Sequence, residues 1–201
     1  MSAVAKKARP LDRLEDFVEG VSRLLDRTDN EAEILREASG LLGRLVAVDD
    51  WLPDDYAQPD ALRYRQYLLY RDPEARFSVV SFVWGPGQAT PVHDHTVWGL
   101  VGALRGAELS QRYEIQPGAV RALGPVHRLT AGEVEAVSPT VGDVHRVTNA
   151  LTDQVSISIH LYGADIGSVR RSTYDEAGAK KPFVSGYADA PPLPLSPPGL
   201  A

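Results

Sequence analysis

Between residues 63 and 162 the chain reads as a succession of short β-rich runs with no helix-length segment between them, and nothing else in it constrains the fold as much. The runs are Arg63 to Tyr70, Phe77 to Trp84, Val97 to Leu104, Glu108 to Ile115, Glu133 to Val137, His145 to Thr148 and Gln154 to Tyr162, punctuated by Gly and Pro. A parallel sheet needs a long crossover between strands, usually a helix. Strands spaced this closely pair with reversed neighbours, so the pattern predicts an antiparallel barrel or jelly roll. Ahead of it, apolar residues recur at helical spacing, first Leu14, Phe17, Val18, Val21, Leu24 and Leu25, then Ile34, Leu35, Ala38, Leu41, Leu42, Leu45 and Val46. Two amphipathic helices are expected, the first ending near Arg27, with Thr28 and Glu31 at the spacing of a capping box for the second. The expected organisation is a helical segment over 1–50 packed on a barrel over 51–187. A proline-rich tail over 188–201, ADAPPLPLSPPGLA, cannot pair into a sheet and is expected to be extended or disordered.

Charge narrows the partners. Twenty-one basic residues against 27 acidic ones leave a net charge of -6, and no cluster of Lys and Arg forms a stripe that could neutralise phosphates. Nucleic acid is not an expected partner. The first residues, MSAVAKKARPLDRLEDF, lack the apolar stretch of a signal peptide, and no later run is long enough to span a bilayer. The expectation is a soluble, cytoplasmic protein with no membrane partner. There is no cysteine, so any metal must be held by His, Asp, Glu or water.

Histidine is therefore the residue type to follow. His93 and His95 stand two apart, and on a strand such residues share a face roughly 7 Å apart along the chain. Fifty residues later, in Pro139-Thr-Val-Gly-Asp-Val-His145-Arg-Val-Thr-Asn149, a Gly-containing turn delivers a third at the head of a strand. Three neutral nitrogen donors make a facial set with positions left open for substrate. His127, in Gly-Pro-Val-His127-Arg, has no such company and reads as structural or solvated. Ser158, His160 and Tyr162 alternate along one strand, face one side and can form a hydrogen-bond relay.

These motifs resemble those of the cupins. Gly87, His93 and His95 match the first cupin motif; Gly142, His145 and Asn149 match the second, with Pro139 one position further from Gly142 than usual. The Glu that completes the ordinary cupin site is missing from Thr96-Val-Trp-Gly-Leu100. That loss, with His93-Asp-His95-Thr96 and Ser158-Ile-His160-Leu-Tyr162, is similar to the cysteine dioxygenase family over about residues 60 to 175. The resemblance implies a cupin barrel holding Fe(II) on His93, His95 and His145, and insertion of both atoms of O2 into the sulfur of a small thiol carboxylate. It assigns Ser158, His160 and Tyr162 to catalysis, and Gln66, Arg171 and Tyr162 to substrate binding. Animal members crosslink the active-site Tyr to a Cys where this chain has Gly99, so Tyr162 is expected to be uncrosslinked. Gln66 stands where they have an Arg, a mark of the bacterial branch similar to 3-mercaptopropionate dioxygenase. With Arg170 and Arg171 just beyond the relay strand, the expected substrate is 3-mercaptopropionate, giving 3-sulfinopropionate. Three alternatives remain: cysteine oxidised to cysteine sulfinate; a non-oxidative metal-binding cupin acting as isomerase or ligand carrier; and an interaction module using its proline-rich tail.

Overall fold

The computed structural model describes residues 10–190 and 193–195. Two helices, α1 (Asp12–Arg27) and α2 (Glu31–Val46), precede eleven strands: β1 (Arg65–Arg71), β2 (Ser78–Trp84), β3 (Val92–His93), β4 (Gly99–Arg105), β5 (Ala107–Gln116), β6 (Ala119–Thr130), β7 (Val134–Val137), β8 (His145–Asn149), β9 (Ser156–Tyr162), β10 (Arg171–Tyr174) and β11 (Lys180–Phe183). All pairings are antiparallel, in one sheet ordered β1-β2-β9-β4-β7 and a second ordered β11-β10-β3-β8-β5-β6. This is the mainly β, two-sheet antiparallel barrel with N-terminal helices that the spacing of the runs predicts, and it agrees with the cupin barrel that the resemblance implies.

The first sheet is covered on both faces. Strands β2 and β9 are buried at every residue; in β2 both faces are apolar and hydrophobic alternation is lost, whereas β9 alternates Ile157, Ile159 and Leu161 with Ser158, His160 and Tyr162. Val79, Val83, Ile157, Ile159 and Leu161 point outward into one core with Leu14, Phe17, Val21, Leu42 and Val46 of the helices. The intervening Val80, Phe82, Trp84 and Tyr162 point inward. Helix α2 comes so close to β4 that a Cβ on Gly102 would lie 3.0 Å from both Leu42 and Val46. Among the described residues no helix is long and apolar enough to cross a membrane.

Four local expectations are corrected. The cap of α2 is Asn30, whose side chain accepts from the Glu33 amide, because Glu31 is engaged elsewhere by the hydroxyls of Ser138 and Thr140. Strand β6 escapes the sequence pattern because Gly124-Pro125 interrupts it; the interruption is absorbed where pairing shifts between Ser110/His127 and Arg112/Leu123. Strands β10 and β11 are short and edge-proximal, with Pro182 tolerated on the edge strand. Only His93 of the histidine pair lies in a strand; His95 sits in the turn beyond it, where Thr96 takes φ 62°. Of the tail, residues 191–192 and 196–201 lie outside the described residues. The described part runs extended over the protein: the Ala188 amide donates to the Gln66 carbonyl at 2.7 Å, and Leu193 and Leu195 pack on the helical core.

Candidate metal centre and active site

His93 and His145 meet because β3 and β8 pair with these two residues opposite each other. The turn after β3 brings in His95, held by Asp143: one carboxylate oxygen accepts from the His95 amide at 2.8 Å and stands 3.0 Å from His95 Nδ1, while the other accepts from the Thr96 amide at 2.9 Å. Those bonds hold a non-glycine residue in the left-handed region. The three rings form a near-equilateral triangle with centroids 4.8, 4.9 and 5.0 Å apart, and their candidate ligand atoms lie within 4.8 Å of one another.

Each ring is oriented from behind. His93 Nδ1 stands 3.1 Å from the Pro91 carbonyl, which can only accept, so it carries the proton. Asp143 imposes the same tautomer on His95, and Ser110 Oγ lies 3.3 Å from His145 Nδ1. The Nε2 atoms are left free, an arrangement typical of metal-binding histidines. Burial, reinforced by the neighbouring rings, lowers His93 to about 3 and takes His145 well below its ordinary range. Neutral imidazoles of this kind suit a divalent transition metal. No carboxylate joins the trio among the described residues.

Against this triangle lies a cavity of about 130 Å³ lined by Tyr64, Gln66, Phe82, Trp84, Tyr162, Arg171 and Phe183 with the histidines. On β9 the alternation yields an unbroken chain, with Ser158 Oγ 2.8 Å from His160 Nε2 and His160 Nδ1 2.8 Å from Tyr162 Oη. Phe82 stacks on the His160 ring at 3.9 Å, and the Trp84 indole donates to Ser158 at 3.2 Å. Burial raises the Tyr162 hydroxyl well above its ordinary range, so it keeps its proton, and drives His160 strongly down, so it stays neutral.

Arg171 sits on a strand, only 4% exposed, whereas Arg170 is exposed. Its Nη2 donates to Ser185 at 2.6 Å and its guanidinium lies 4.8 Å over the Phe183 ring, while Nε has no partner. Among the described residues no carboxylate pairs with it. Gln66 Oε1 is likewise buried without a partner.

A family model described as Cysteine dioxygenase type I matches residues 46–176. The chain belongs to the cysteine dioxygenase type I family. Membership makes it an enzyme of the non-haem dioxygenase kind. Cysteine dioxygenase type 1 of Danio rerio is 26% identical over 156 residues, which cover 73% of this chain and 75% of the relative. Among solved structures, a conserved protein with a double-stranded β-helix domain from Klebsiella pneumoniae is 17% identical, covering 66% of this chain and 92% of its own with TM-score 0.44. An RmlC-like cupin protein from Desulfovibrio desulfuricans is 18% identical, covering 53% and 87% with TM-score 0.41.

Within this family member, several site residues went unread in the sequence. Asp143 and Ser110 orient ligands, Tyr64 packs tilted against Trp84 with ring centroids 4.7 Å apart, and Glu108 is buried beside the relay. Asp143 stands two residues before His145 and could have been noticed by that spacing; Ser110 and Glu108 become neighbours only through strand pairing. Asn149 pins a turn, donating to the carbonyls of Trp84, Gly85 and Gln154. His127 is exposed, 3.8 Å from Glu135 and away from the centre. Gly99 is required where it stands, because a Cβ there would come within 2.7 Å of the Tyr162 ring.

Proposed function

We propose that this family member is an iron(II)-dependent dioxygenase of small thiol carboxylates, with His93, His95 and His145 holding the iron and 3-mercaptopropionate as preferred substrate. Iron on three neutral histidines would supply affinity for the thiolate and the redox chemistry that lets it react with O2. Both oxygen atoms end on sulfur, so the thiol becomes a sulfinic acid and no external reductant is consumed.

The chain's own residues bind and orient. A buried guanidinium without a carboxylate partner is costly unless an anion completes it; a substrate carboxylate on Arg171 does so, with Gln66 and the Tyr162 hydroxyl as neighbouring donors. Ser158 and His160 fix that hydroxyl. Phe82, Trp84 and Phe183 keep water from the reacting sulfur.

The observation that carries the preference is the lining of the cavity, which presents one cation, Arg171, and no carboxylate. Cysteine brings an ammonium that finds no counter-ion there; 3-mercaptopropionate does not. An interaction of this kind contributes on the order of 1–3 kcal/mol, about a tenfold to hundredfold difference in kcat/KM. Oxygen consumption by the iron-loaded protein with 3-mercaptopropionate, cysteine and cysteamine side by side tests both parts. Equal or better efficiency with cysteine removes the preference; no uptake with any of them removes the dioxygenase.

A further inference from the structure

Glu108 is a buried acid for which the chemistry above has no use. It lies on β5, 2% exposed, with neither carboxyl oxygen hydrogen-bonded. The residues paired across from it, Leu129 on β6 and Asn149 on β8, do not titrate. The polar side chains that influence it, without closing a hydrogen bond to it, come from the first sheet: Ser158 of β9 and Trp84 of β2, and it acts in turn on Tyr162 of β9. It therefore stands at the closed end of the relay, opposite the cavity.

We propose that Glu108, held as a neutral acid, is a positioning residue that sets the direction of hydrogen bonding through Ser158 and His160, so that Tyr162 offers its proton to the cavity. This rests on the relay function proposed above. Direction follows from counting donors. Trp84 Nε1 can only donate, so of the two side chains acting on Glu108 only Ser158 Oγ can accept the acid proton. Ser158, accepting from Trp84 and Glu108, has its own hydrogen free for His160 Nε2. His160 then carries its proton on Nδ1, donates to Tyr162 Oη, and leaves the tyrosine proton for a substrate carboxylate or an oxygen atom.

An ionised Glu108 reverses every step. Ser158 would donate to the carboxylate and accept from His160 Nε2, and bare Nδ1 would draw the Tyr162 proton out of the cavity. No covalent bond changes; only protons shift, along the Ser158–His160 and His160–Tyr162 contacts and the Glu108–Ser158 bond that the proposal adds. Burial raises the Glu108 carboxyl to about 8 against the pull of Ser158 and Trp84, so the neutral form prevails at pH 7 and the reversal falls in the alkaline range.

The test compares wild type with Glu108→Gln, which cannot ionise but still donates, and with Glu108→Leu, which cannot donate. Nitrogen-15 NMR of His160 in full-length protein loaded with diamagnetic zinc should show the Nδ1–H tautomer at neutral pH, switching to Nε2–H at alkaline pH in wild type and not in Glu108→Gln. A His160 tautomer that ignores pH in wild type, or that switches identically in Glu108→Gln, overturns the proposal. In iron-loaded protein, thiol-dependent oxygen uptake should show an alkaline fall that Glu108→Gln abolishes, with Glu108→Leu about tenfold slower at neutral pH. Coincident profiles for all three overturn it as well. A protein that consumes no oxygen with any thiol defeats the proposed activity instead, and the NMR switch still decides the role of Glu108.

Discussion

Tyr162 shows how one hydroxyl is fixed from two directions. His160 holds its oxygen at 2.8 Å, and its ring stacks 5.5 Å from that of His95 while Gly99 clears room on the other side. Replacing it with Phe keeps ring packing and all three metal donors but removes the hydroxyl whose proton, in the proposed relay, faces the cavity. Iron content of Tyr162→Phe, measured by metal analysis, should match wild type, with kcat lower by about tenfold to hundredfold; unchanged kcat would take the tyrosine out of the chemistry. At this scale much was legible. The histidines and Ser158, His160 and Tyr162 declare themselves through short spacings that a strand or turn converts directly into proximity. Glu108 does not, because nothing in Ala107-Glu108-Leu109 distinguishes a buried acid from an exposed one before β5 is paired on both sides.

Elements are positioned by side chains that do not meet the cavity. Asp94, between the two histidines and 5% exposed, accepts from the Ser172 amide at 2.8 Å and the Tyr174 hydroxyl at 2.6 Å, with Lys180 3.7 Å away. It ties β10 to β3 and so sets where Arg171 enters the barrel. Asp94→Asn keeps the acceptor for the Ser172 amide but can no longer accept the Tyr174 proton, and it loses the charge that faces Lys180. It should cost about 1–3 kcal/mol of stability in urea denaturation and raise KM several-fold with kcat nearly kept; a raised kcat loss at constant KM would contradict this role. The strands read correctly from sequence are the fully buried or alternating ones. Those missed, β6, β10 and β11, are exposed or short, and their pairing is decided by partners distant in sequence rather than by their own pattern. The same holds for Asn30, which takes the cap because Glu31 is drawn to Ser138 and Thr140.

For the molecule as a whole, the two halves of the site stand at different depths. The relay lies on β9, flanked by β2 and β4 and covered by the helices, whereas Arg171 lies on β10, one strand from the edge of the other sheet. Protection from local opening follows burial and pairing. Amide hydrogen exchange should therefore be slowest in β2 and β9, fastest toward β10 and β11, and the difference should widen on warming; equal protection across both sheets would refute it. Heat would then act on the enzyme in order. The proposed grip of Arg171 on a substrate carboxylate would loosen while the relay on β9 still holds, so a warmed preparation would first become indiscriminate and only later inert.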